Sequence, residues 1–137
     1  MNVSVPLGDK KDFVIGSDLR EFIIEIANSS IKSEILEFIY YNPCTVFNAF
    51  LIAKAIGRKE AQVKEALADF VDAEILRQLR DVPTPSYTTI ENSKFHDLLD
   101  RFIRLFNSNN GRELIRSIIE DMEAVSQYYI REGKACT

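Results

Sequence analysis

Three observations predict a mainly α-helical fold carrying one small β-hairpin. Apolar residues recur at intervals of three and four through most of the chain, which gathers them on one face of a helix. Between residues 75 and 90 this spacing gives way to an alternating pattern over 75–80 and to β-branched and aromatic residues over 87–90, on either side of Pro83-Thr84-Pro85. Helix-stopping residues, among them Asn42-Pro43, Gly57 and the polar 107–111 run, divide the rest into segments of ordinary helix length.

At 137 residues the chain has the usual size of one domain. Apolar residues make up 46% and charged residues 28%, enough for a core and far from the composition of disordered chains. Residues 1–13 contain Asp9, Lys10, Lys11 and Asp12 and no apolar block that would serve as a signal peptide. No apolar run approaches the ~20 residues of a membrane span. The expectation is a cytoplasmic protein without membrane contact. Cys44 and Cys136 lack the paired spacing of a metal site or disulfide framework. Cys44 reads as a small buried apolar residue, and Cys136 as tail.

Residues 1–17 form an arm whose apolar cluster, Phe13, Val14 and Ile15, is too short for a helix. Asp18 and Glu21 have capping-box spacing and open a helix over 18–28, with Leu19, Phe22, Ile23 and Ile26 on one face. Ser29 or Ser30 caps a second helix ending at Tyr41, with Ile31, Ile35, Leu36, Phe38 and Ile39 inward. Asn42-Pro43 stops it, because the residue before proline avoids helical backbone. Thr45 caps a third helix over 46–56, carrying Val46, Phe47, Phe50, Leu51, Ala53 and Ile56, and Gly57 closes it in a left-handed turn. A fourth helix covers 58–73 with Val63, Ala66, Leu67, Phe70 and Val71 apolar. Strands over 75–80 and 87–90 follow, joined by a turn whose prolines cannot join a ladder. Asn92 or Ser93 caps a helix reaching Phe106 with a broad apolar face. The last helix, over 112–132, sets Ile115, Ile118, Met122, Val125 and Tyr129 at heptad spacing.

The most informative stretch is 52–79. Ala53 is small where two helices must cross, Gly57 permits a sharp turn, and Val63 and Leu67 share one face of the following helix. With Ile56, Phe70, Ala73, Ile75 and Leu76, and in element order over 31–91, this stretch resembles the winged helix-turn-helix regulators. The flanking helices give a layout similar to the MarR and ArsR types. The resemblance implies a recognition helix, a hairpin wing and a homodimer whose terminal helices interlock. The Asp-x-Arg of MarR-type wings is absent, and the tip, residues 82–85, offers no cation. The chain is thus divided into an arm over 1–17, a helix plus winged unit over 18–91, and a helical dimerisation region over 92–137.

The residues expected at double-stranded DNA are Arg58, Lys59, Gln62 and Lys64 at the start of the recognition helix and Arg77 and Arg80 in the hairpin, since regulators of this kind contact bases near that helix's N-terminus. Glu60 and Glu65 oppose them. Over residues 31–91 seven Lys and Arg stand against nine Asp and Glu, and the net charge is −4, so charge alone does not draw this protein to phosphates. Two functions follow: a homodimeric DNA-binding regulator on a pseudo-palindromic site, or a module that uses the same fold to dock another protein. Phe102, Phe106, Ile115, Ile118, Met122, Val125 and Tyr129 are expected to bury across the dimer two-fold. His96 is the single histidine and has no Cys or Ser partner. Asp69, Asp72 and Glu74 read as a solvated helix end, and no glycine-rich phosphate loop is present. Neither enzyme activity, a metal nor a cofactor is expected.

Overall fold

The computed structural model describes residues 15–43 and 45–131, with side chains as far as residue 124. Most of the N-terminal arm, Cys44, Cys136, and the Val125 and Tyr129 side chains lie outside the described residues. Among those described, six helices and a three-stranded antiparallel sheet are present. No helix among them is long and apolar enough to cross a membrane.

Helix α1 (Ser17–Glu25) buries Leu19, Phe22 and Ile23. The Asp18–Glu21 capping box does not form. The helix begins one residue earlier than expected, with Gly16 at the N-cap and no side-chain cap. Asp18 accepts the N–H of Leu19 at 2.8 Å and two hydrogen bonds from Arg101, both at 3.0 Å. A long-range cation has therefore replaced the local cap. Helix α2 (Ser30–Tyr41) starts as expected: Ser29 Oγ accepts the N–H of Lys32 at 3.3 Å.

The third helix departs from expectation. Instead of a helix from Val46 capped by Thr45, residues Phe47–Asn48 form strand β1, and Asn48 caps helix α3 (Ala49–Ile56) by accepting the N–H of Leu51 at 2.8 Å. Thr45 donates to Pro43 O instead. The reason is tertiary. Phe47 is buried edge-on to Phe38 and sits opposite Tyr87 in the sheet. Of the apolar residues expected on that helix, Val46, Phe50 and Leu51 face solvent, at 55%, 57% and 46% exposure.

Gly57 ends α3 with φ +72° and ψ +38°, and its N–H and that of Arg58 both reach Ala53 O, at 2.9 and 3.0 Å. Helix α4 (Glu60–Asp72) buries Val63, Ala66, Leu67 and Phe70. Strands β2 (Leu76–Leu79) and β3 (Ser86–Thr89) form the expected hairpin, with Leu76 opposite Thr89 and Leu79 opposite Ser86. The sheet order is β1-β3-β2. β1 thus covers the outer edge of β3, an edge the hairpin would otherwise leave unpaired.

Asn92 caps helix α5 (Ser93–Phe106), accepting the N–H of Phe95 at 3.0 Å, and helix α6 (Gly111–Arg131) follows. Both pack on α1. Phe22 of α1 lies 5.8 Å from the Phe102 ring and 6.2 Å from Phe95, and Phe102 stacks on Phe106 at 5.7 Å. One buried ring contributes roughly 1.5–3 kcal/mol, so this cluster, more than the exposed Asp18–Arg101 pair, holds α1 to α5.

The packing corrects the expected dimer surface. Phe102, Phe106, Ile115 and Ile118 are at most 8% exposed within the single chain. The broad α5 face is covered by α1, α2 and α6, in one core running from Leu19 to Ile118. Of the expected interface residues described, only Met122 is exposed, at 43%.

Candidate nucleic-acid interface

Helices α3 and α4 pack on one another, with Ala53 buried, and are joined by the left-handed Gly57. Behind them, α2 packs on both. The buried face of α4 is Val63, Ala66, Leu67 and Phe70; Lys59, Glu60, Gln62, Lys64 and Glu65 are all exposed. The hairpin begins three residues after α4, past Glu74, a non-glycine residue at φ +62°. This places the hairpin against the end of that helix, with α4 and β2 in contact.

The six expected DNA contacts do not share one fate. Arg58 is committed elsewhere: its Nε and Nη2 each donate at 2.9 Å to the two carboxylate oxygens of Glu34 on α2. That hydrogen bonding raises the guanidinium's pKa further, and the fork-to-fork geometry makes Arg58 a brace between α2 and the start of α4. Lys64 lies 3.7 Å from Glu60, one turn back on the exposed face, a weak pairing. Lys59 and Gln62 are exposed near the start of α4, with Lys59 itself the N-cap residue. Arg77 on β2 pairs in register with Thr88, and Arg80 follows the strand. Both are exposed, and neither enters an ion pair among the described residues.

Two features went unread in the sequence. Lys54, on the exposed side of α3, lies 5.5 Å over the Phe50 ring and is a further exposed cation of the α3–α4 unit. Next to it, Val46, Phe50 and Leu51 form an exposed apolar stretch. The missed signal was Asn48, a residue that caps helices well and whose use as the cap rotates α3 relative to a start at Val46.

Other candidates are accounted for. His96 is exposed on α5 beside Phe95. Asp69 pairs with Lys32 of α2 at 2.8 Å, and no cluster of three metal-binding side chains occurs among the described residues. No protein-family model matches the chain, and no curated protein or solved structure is significantly similar to it.

Proposed function

We propose that the chain is a DNA-binding transcriptional regulator of winged helix-turn-helix type that acts as a homodimer. The observation that carries the reading is the α3–Gly57–α4 unit followed by the β2–β3 hairpin, with the outer face of α4 free of any packing partner among the described residues. Such a helix, presented beside a hairpin, suits the major groove. Lys59, Gln62 and Lys64 would meet bases and phosphates there, and Arg77 and Arg80 the flanking backbone. Lys54 joins this set, whereas Arg58 orients α4 through Glu34.

Pairing of two copies falls to the end of α6. The helix continues for 13 residues past Ile118, the last buried position among the described side chains, which is ~20 Å of helix, and Met122 is the first apolar residue on that extension to be exposed. Two copies would present paired recognition helices to a pseudo-palindromic site.

The test is an anisotropy titration of a mixed-sequence duplex against salt. Binding should weaken steeply as salt rises, and Lys59→Glu combined with Arg77→Glu should flatten the slope by ~2, about one unit for each phosphate that is no longer neutralised. Undetectable binding at low salt overturns the proposal and favours the second reading, a module that docks another protein. That reading has its own observation, the exposed Val46, Phe50 and Leu51 beside the same helix pair.

A further inference from the structure

Between the start of α2 and the N-terminal half of α6 lies an open cleft of about 450 Å³, within the volume range of small-molecule sites. Arg112 and Arg116, both in its wall, are one turn apart on α6 and so share a face. Like charges at this spacing repel, and neither enters an ion pair among the described residues, in contrast to Arg58, Arg101 and Arg104. Arg112 is held in place nonetheless: its guanidinium lies 4.0 Å over the Phe106 ring, and its Nε donates to Phe106 O at 3.0 Å. Its outer N–H groups remain for another acceptor.

Ser33 lines the same cleft. It is 3% exposed, the one buried polar residue among those described. Its hydroxyl has no hydrogen-bond partner among the described residues, and no fully buried polar side-chain atom there goes unsatisfied, so the hydroxyl opens onto the cleft. The apolar part of the lining is Ile115, Ile119 and the Phe106 ring, and Asn28, Ser29, Ser30 and Glu34 complete the side opposite α6. Further along α6, Glu120 and Glu123 edge the cleft, and a smaller apolar recess formed by Ile24 and Met122 adjoins it through Asn28 and Ile119. The α6 wall therefore runs from two cations to two carboxylates over 11 residues, ~16 Å, with Ile115 and Ile119 alongside them.

We propose that this cleft binds a small organic monocarboxylate, its head on Arg112, Arg116 and the Ser33 hydroxyl and its apolar body along Ile115 and Ile119 toward Met122. Glu120 and Glu123, past Arg116 along α6, set the direction, since they repel the head and leave the Arg112 end for it, while the Glu34 carboxylate beside Ser33 is already taken by Arg58. Glu34, in the same wall, holds Arg58 at the start of α4, so occupancy next to Glu34 bears on the orientation of the recognition helix. That consequence for DNA rests on the function proposed above, whereas binding itself does not.

The experiment titrates the ¹⁵N-labelled full chain with hexanoate and, separately, with its uncharged counterpart hexanamide, without DNA. Hexanoate should move the amide resonances of Ser29, Ser30, Ser33 and Arg112 saturably, and hexanamide should bind at least tenfold more weakly. Arg116→Gln, at an exposed position, should weaken hexanoate about tenfold, the scale of one charge-assisted hydrogen bond, and leave hexanamide unchanged. Equal binding of acid and amide, shifts confined to other residues, no shifts at millimolar hexanoate, or an unaltered Arg116→Gln titration would each overturn the proposal. Loss of DNA binding in the separate duplex assay would overturn only the function, and leave this site standing.

Discussion

Gly57→Val isolates the cost of one backbone conformation. Gly57 has φ +72°, and a Cβ built on it meets nothing within 4 Å, so no packing clash enters. A β-branched residue held in the left-handed region is strained by about 2 kcal/mol. Against this, replacing glycine restricts the unfolded chain and returns about 0.5–1 kcal/mol, leaving a net loss of about 1–1.5 kcal/mol. At roughly 2.1 cal/mol/K per residue, 137 residues unfold with an entropy of ~290 cal/mol/K, so 1 kcal/mol corresponds to about 3.5 °C. The expected fall in Tm is therefore about 3.5–5 °C by circular dichroism. Gly57→Asn should be close to neutral, because asparagine tolerates this conformation and gains the same unfolded-state restriction. A Val variant that melts with the unmodified protein, or an Asn variant as damaged as Val, refutes the argument. Gly111→Ala makes the contrast: its Cβ would collide with the Leu105 carbonyl in the α5–α6 turn, so that variant should fail by collision and not by φ.

Two further outcomes follow from the packing. Asp18, hydrogen-bonded first of all by Arg101, has its carboxyl held down at about 2. A folded-state value below the unfolded one stabilises the fold above pH ~4, and that stability is lost as pH falls from there through about 2. Thermal melts should thus show Asp18→Asn less stable than the unmodified protein near neutrality, with the gap closing by pH ~2; a gap that persists in acid shows that the ion pair is not its cause. For assembly, Met122→Glu should shift a dimer toward monomer in light scattering while leaving the fold intact, because Met122 is exposed. Ile118→Glu places an unpaired charge in the chain's own core, 3% exposed, and should unfold the monomer itself. A monomeric unmodified protein at tens of micromolar sinks the dimer.

Local chemistry decided much of what the sequence showed. Ser29 and Asn92 cap their helices, Gly57 turns left-handed, Pro83 and Pro85 sit between two strands, and the apolar positions of α2, α4 and α5 face the core. Each of these depends on residues within a turn or two of one another, which is why spacing alone reveals them. The candidate DNA contacts were legible as residue types at the start of α4. Their availability was not: the bidentate claim of Glu34 on Arg58 spans 24 positions of sequence.

Tertiary structure decided the rest, and always by supplying a distant partner. Arg101, 83 residues away, took Asp18 out of its capping box. The free edge of β3 drew Phe47 and Asn48 into a strand, moved the helix start to Ala49 and exposed Phe50 and Leu51. Helix α1 covered the apolar faces of α5 and α6 that spacing alone assigns to a second subunit. An amphipathic pattern states that a face must be buried, since apolar area leaves water wherever it finds cover; which surface covers it is a property of the folded chain.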